Sequence, residues 1–213
     1  QILNERKIDY FNVEKGYCNW WKPKFWRLTF NENQVTEIKG QWDNKRFTAF
    51  NMPMRPMKKD GEQVYIVAPS QNGFDIYDLP IKVDDWIEQT VTEVKKYTDR
   101  PIKIRRKVPK KARGSRGFCD TLDNIYCVIS LHTMAVTEVL REGIPVISMH
   151  PGVLKNYSSN KISQINNLYY PSDTERGKLF NCLTNIQFTN QELVDGEALE
   201  TMCDYYGIKI LPK

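Results

Sequence analysis

The residues best suited to chemistry stand in the run Ser130-Leu131-His132-Thr133-Met134-Ala135-Val136-Thr137-Glu138-Val139-Leu140-Arg141-Glu142-Gly143-Ile144-Pro145-Val146. An apolar stretch, Ile125 to Ile129, ends at Ser130, and a helical pattern with Leu131, Met134, Ala135, Val139 and Leu140 on one face opens at once. Such a junction turns unpaired backbone N–H groups and the positive end of a helix toward the carboxyl edge of a sheet. Open α/β sheets bind ligands at that edge, and phosphates bind at helix N-termini. Ser130, His132 and Thr133 add side-chain donors for a diphosphate, and Glu138 faces either ribose hydroxyls or solvent. The plainer alternative is a Ser or Thr that caps the helix beside an empty edge.

A second group is cationic. Arg100, Lys103, Arg105, Arg106, Lys107, Lys110, Lys111, Arg113 and Arg116 follow one another with no acid among them. Pro109 and Gly114 mark this run as a loop leaving the carboxyl end of a strand. A charge run is by default a solvated face, but this one lies beside the expected phosphate edge, and Arg presents a fixed fork of donors to phosphate. Nucleotide or nucleic-acid phosphates both suit it. Ser70, closing the apolar run Val64-Tyr65-Ile66-Val67-Ala68, is assigned to the nucleotide phosphates as well.

Other chemistries are poorly served. His132 and His150 are the only histidines and have no carboxylate or second His at a ligand spacing, so no metal is expected. The G-x-S-x-G, G-x-x-x-x-G-K-[ST] and G-x-G-x-x-G patterns are absent, which speaks against hydrolase, P-loop and dinucleotide sites. His150-Pro151-Gly152 reads as a turn at the same edge. The five cysteines are odd in number without C-x-x-C pairing, and read as free buried thiols.

These side chains need a scaffold, and from Val64 onward strands alternate with helices. Strands are expected at 64–68, 101–105, 125–129 and 145–149, with helices near 83–97 and 131–142. The helix at 83 rests on Val83, Trp86, Ile87, Val91, Val94 and Tyr97 at helical spacing, with Asp84 and Asp85 at its start. Strand, helix, strand at this spacing predicts a parallel sheet with βαβ crossovers. The fold class is therefore α/β, a Rossmann-like parallel-sheet domain at 61–156.

Residues 1–60 form a reduced, strand-rich N-terminal portion whose tryptophans read as core, closed by the turn-like Arg55-Pro56-Met57-Lys58-Lys59-Asp60-Gly61. Residues 157–213 read as a polar surface loop, Tyr157 to Tyr170, and two helices that pack back on the structure. Capping boxes are expected at Ser172-Asp173-Thr174-Glu175 and Thr189-Asn190-Gln191-Glu192, with the last helix stopping at Gly207.

With 213 residues, 40% hydrophobic and 27% charged, the chain belongs with globular proteins and has room for one domain and a smaller partner. No apolar run approaches the roughly 18 to 20 residues that cross a bilayer, and the first residues lack a signal peptide's apolar stretch. A soluble, cytoplasmic protein is expected. Gln1 is not an initiator methionine, so the start is processed or lies within a longer chain.

The Ser130 to Val146 stretch resembles the S-x-x-x-x-x-E-x-x-x-x-G-x-P-V region of the C-terminal, donor-binding domain in GT-B glycosyltransferases, especially the capsule-polysaccharide and phage-encoded groups. There it follows a strand ending in Arg, as Ile102-Lys103-Ile104-Arg105 does here. Glu14-Lys15-Gly16-Tyr17, Trp26-Arg27-Leu28-Thr29 and the Arg55 to Gly61 segment resemble phage-associated proteins of that type. The resemblance implies a transferase that moves a sugar from a nucleotide-sugar donor to an acceptor; no metal or other cofactor is expected. By position, Ser130, His132 and Thr133 would meet the phosphates, Glu138 the ribose or sugar, and Arg105 the diphosphate. A catalytic acid such as Glu14 would come from the N-terminal portion. A phage setting makes modified DNA a conceivable acceptor, in the host cytoplasm, with its base flipped from the duplex. The alternative is a non-catalytic nucleotide- or nucleic-acid-binding protein that keeps the half-fold.

Overall fold

In a computed structural model, residues 7–18, 24–76, 79–107, 122–131, 133–150 and 152–209 are described, and the chain divides into two units. One unit holds Pro53–Asp173 and the other combines Gln1–Met52 with Thr174–Lys213.

The 53–173 unit carries a four-stranded parallel sheet. Its strands are β3 (Gln63–Val67), β4 (Ile102–Arg105), β5 (Ile125–Ser130) and β6 (Val146–Ser148), in the order β4-β3-β5-β6. All three pairings are parallel, as the alternation of strand and helix predicts. On one face Val64, Ile66, Ala68, Cys127, Ile129, Leu131 and Ile147 bury against Phe74 of α2 (Gln71–Ile76) and Trp86, Ile87 and Val94 of α3 (Val83–Val94). The helix α3 ends at Val94, one turn before the expected boundary. Helix α4 (Ala135–Arg141) packs on β5 and β6 and buries Val136, Val139 and Leu140.

Two expectations are corrected here. The helix after Ser130 starts at Ala135, so Leu131, Thr133 and Met134 belong to the connection and not to a first helical turn. The Tyr157 to Tyr170 stretch is not a surface loop: Ser158, Ser159, Ile162, Ile165 and Leu168 are buried. The reason is backbone pairing, since Ser159 donates its N–H to Val146 O at 3.0 Å and accepts from Ser148 N at 2.8 Å, extending the sheet beyond β6. Its hydroxyl also accepts from Tyr169 N at 2.9 Å, so the buried polar atoms are satisfied.

The Pro-rich segment before β3 is tied down. Arg55 N donates to Arg141 O at 2.8 Å and Lys58 N to Gly143 O at 2.7 Å, so the segment runs along the end of α4. Gly143 permits this approach: its φ is +77°, and a Cβ there would stand 2.0 Å from the Pro56 carbonyl oxygen.

The second unit is built from both ends of the chain. Strands β1 (Phe11–Lys15), β2 (Trp26–Phe30) and β7 (Gln187–Phe188) form an antiparallel sheet in that order. Helices α1 (Lys45–Phe50), α5 (Asp173–Asn185), α6 (Asn190–Val194) and α7 (Glu197–Tyr206) accompany it, α5 starting at the last residue of the other unit. The Thr189/Glu192 capping box forms as expected. What reads as one last helix is two, because Gly196 adopts φ +87° between α6 and α7; Gly207 then closes α7 at φ +70°. The break turns Leu199 out to solvent and leaves Ala198, Met202 and Cys203 buried. The Arg46 guanidinium of α1 joins three elements: Nε donates to Thr184 O at 3.0 Å, Nη2 to Gln187 O at 2.6 Å, and Nη1 to the Glu192 carboxylate. Trp26 and Trp42 are half-buried and not core, Trp26 donating to Asn190 and Trp42 stacking on Tyr205. Trp20 and Trp21 lie outside the described residues.

Candidate functional site

Strand order locates the candidate site. From β3 the chain crosses through α3 to β4 on one side, and from β5 it crosses through α4 to β6 on the other. The connections leaving β3 and β5 therefore part, and such a switch point outside the carboxyl ends of two neighbouring strands is the place where open α/β sheets take ligands.

Ser130, at the end of β5, is 1% exposed, and its hydroxyl donates to Val67 O at 3.1 Å. It thereby satisfies the last carbonyl of β3 where the ladder stops. Beyond it β5 and β6 remain joined, Met149 N donating to Ser130 O at 2.9 Å and His150 N to Leu131 O at 3.2 Å. Backbone pairing thus continues on the β6 side, whereas on the β3 side the Ser130 hydroxyl makes the join.

On the β3 side, Ala68 N donates to Arg105 O at 2.9 Å, and Pro69 and Ser70 lead into α2. Lys107 Nζ lies 3.5 Å from the Ser70 hydroxyl, so the structure brings a cation from the β4 loop to the mouth of the β3 turn. Arg105 sits opposite Val67 in the register. Arg106 and Lys107 are exposed, and Arg106 pairs with Asp84 in the first turn of α3. The cationic run is thus opposed by an acid from a neighbouring element, which the local sequence does not reveal. Two earlier members of the run have structural partners: Arg100 donates to Gly61 O at 3.0 Å and lies 3.8 Å from the Tyr126 ring centre, and Lys103 lies 5.2 Å from that of Tyr65.

On the β5 side, Thr133 is half-buried and its hydroxyl oxygen takes a long contact, 3.4 Å, from Ala135 N. Glu138 falls in the first turn of α4, where its negative charge complements the helix dipole. His132, Lys110, Lys111, Arg113 and Arg116 lie outside the described residues. Glu14 belongs to the other unit, where its carboxylate is the counter-charge of the buried Arg27 guanidinium across β1 and β2. Arg27 also donates to Lys15 O at 3.0 Å and Asn33 O at 3.1 Å, so this ion pair anchors the sheet.

The four described cysteines are free and buried. Burial pushes the Cys127 thiol up to about 12 and that of Cys182 up to about 11, so both remain protonated and unreactive at neutral pH. Among the described residues no cluster of three His, Cys, Asp or Glu side chains forms, and no helix is long and apolar enough to cross a membrane.

One group of residues with chemical potential escapes the sequence reading. Phe30, Glu32, Thr36, Glu37, Tyr205 and Tyr206 line a cavity of about 270 Å³ in the second unit. Its two walls are some 170 positions apart in sequence, and the adjacent pair Tyr205-Tyr206 is the only local signal. No protein-family model, curated protein or solved structure matches the chain.

Proposed function

We propose that the 53–173 unit binds the diphosphate of a nucleotide sugar outside the ends of β3 and β5, and that the protein transfers that sugar to an acceptor. The observation that carries this reading is the parting of the β3 and β5 connections with Ser70 and Lys107 brought together beside them. A diphosphate offers only acceptor oxygens. Lys107 supplies charge and up to three donors, Ser70 a hydroxyl, and Arg105 is the nearest strand-end guanidinium in the register. In glycosyl transfer the diphosphate leaves with the electrons of the broken C–O bond, so cations fixed at this edge would stabilise the charge as it develops. The transfer itself rests on the resemblance of the Ser130 to Val146 stretch to GT-B donor domains.

Exposed Arg106 and Lys107 favour a second reading, a nucleic-acid-binding module without transfer. Titration calorimetry with uridine, cytidine, guanosine and adenosine diphosphates separates the two. Submillimolar binding of one of them, weakened about tenfold or more in Lys107→Ala, supports the donor site. Steeply salt-dependent DNA binding without nucleotide binding supports the second reading, and absence of both overturns the site.

A further inference from the structure

The second unit carries its own candidate site. Its cavity of about 270 Å³ is lined by Phe30 and Asn31 at the end of β2, by Glu32, Thr36, Glu37 and Lys39 from the following loop, and by Tyr205 and Tyr206 of α7. That volume lies near the lower end for small-molecule sites, roughly 300 Å³, and suits a ligand the size of an amino-acid side chain.

A census of the wall decides what chemistry it can take. The Tyr206 hydroxyl donates to Glu32 Oε1 at 2.7 Å, and the Thr36 hydroxyl to Glu32 Oε2 at 3.3 Å. The Tyr205 hydroxyl donates to the Glu37 carbonyl oxygen. The Asn31 amide is turned to the β1 side, with Nδ2 donating to Asp9 at 2.8 Å and Oδ1 accepting from Tyr10 N at 3.0 Å. Lys39 pairs with the Glu37 carboxylate at 3.4 Å. The hydroxyl donors of the wall are therefore engaged. Apart from the Lys39 ammonium, the wall offers acceptor capacity, in the carboxylate of Glu32 and the phenol oxygens, together with the rings of Phe30, Tyr205 and Tyr206. Two carboxylates against one ammonium leave the lining net negative.

We propose that this cavity binds a small organic cation, an ammonium or guanidinium group, with Glu32 as its counter-charge and Phe30, Tyr205 and Tyr206 as its aromatic walls. Carboxylate and ring faces attract such a group together, and its N–H donors match the surplus of acceptors. The state of Glu32 supports this. Burial lifts its pKa above the ordinary value against the hydrogen bonds of Tyr206 and Thr36 and the charge of Lys39, and a cation seated beside it would offset that cost of burial.

The test uses the full chain with 13C-labelled glutamate, titrated with n-butylammonium, guanidinium and tetramethylammonium chlorides. Neutral controls are 1-butanol and a methyl glucoside. The expected result is saturable binding of at least one cation at millimolar concentration, with the Glu32 carboxylate titrating at lower pH in its presence. Glu32→Gln, which keeps size and an acceptor for Tyr206, should weaken it by about tenfold or more. Glu32→Asp, which keeps the charge, should bind more tightly than Glu32→Gln, which distinguishes loss of charge from loss of the cavity. Thermal melting verifies that each variant is folded. The proposal is overturned if no cation shifts the Glu32 titration, if the alcohol or glucoside binds as well as the cations, or if Glu32→Gln binds undiminished. Should that variant not fold, the parent's titration shift and its cation-over-neutral preference still decide.

Discussion

The Ser130 hydroxyl and the Val67 carbonyl oxygen, 3.1 Å apart, join the two strands whose connections then part. Both residues are buried, so Ser130→Ala leaves a carbonyl without its donor where water cannot easily replace it. The expected loss is about 1–3 kcal/mol of stability, read from urea or thermal unfolding. Unfolding identical to the parent would show that the bond contributes nothing to the joint between β3 and β5.

The Arg106–Asp84 pair should behave differently. Both side chains are more than half exposed, 57% and 74%, and exposed pairs contribute about 0–1 kcal/mol. Asp84→Asn should therefore leave the melting temperature nearly unchanged while it frees Arg106 and strengthens nucleotide or DNA binding at low salt. Weaker binding in this variant would mean that Arg106 does not face the ligand.

Arg46 donates three side-chain hydrogen bonds within the second unit. Burial opposes ionisation of Glu192, but hydrogen bonds from Arg46 and Thr189 outweigh it and hold the carboxyl below its ordinary value of 4.5. A depressed acid contributes stability that is present above 4.5 and is lost as pH falls through the lower folded value. Arg46→Met should cost about 2–4 kcal/mol at neutral pH and reduce the acid-side loss. Matching acid unfolding curves for variant and parent would remove Glu192 from that account.

Glu32 predicts the opposite sign. Its folded pKa is raised, so the folded protein holds a proton that the unfolded chain has released, and stability declines as pH rises from 4.5 through the higher folded value. Tyr17, Tyr205, Tyr206, Lys39 and Glu37 are the titratable groups around it. Glu32→Gln should remove this decline and leave the protein at least as stable as the parent at neutral pH. A parent and variant with parallel pH profiles would contradict the burial of that carboxyl.

Two glycines make a paired test. Gly143→Ala combines a positive φ with a Cβ 2.0 Å from Pro56 O, and should cost about 2–5 kcal/mol. Gly177, inside α5, has nothing within 4 Å of an added Cβ, and Gly177→Ala should stabilise by about 0.5–1 kcal/mol. Denaturant midpoints for the two variants should move in opposite directions.

The parallel sheet was legible because β3 and β5 are buried apolar runs and α3 has a clean apolar stripe around Trp86, Ile87 and Val94. The Ser159 extension was not, because its pairing is made by backbone atoms and its side chain is polar. Gly196 breaks the last helical pattern by its φ, which periodicity does not register. At the candidate site, the Ser130 position was legible but the direction of its hydroxyl was not, since that depends on Val67, 63 residues away. The opposition of Asp84 to Arg106 and the Glu32–Tyr206 cavity are likewise products of the fold and not of neighbouring residues.

The two margins of the parallel sheet are finished in different ways. Beyond β6 the backbone of Ser159 occupies the sheet's hydrogen-bonding groups, whereas among the described residues no strand lies outside β4. A strand left open at its edge is a template on which another molecule can add a strand, and Ile104 in β4, 44% exposed, would favour such addition wherever that edge is open. Exposed Lys103, Arg106 and Lys107 set like charges against like when two copies approach edge to edge. The cations to which phosphate binding is ascribed in the proposal would therefore also guard against aggregation, and a polyanion that neutralised them would weaken that guard.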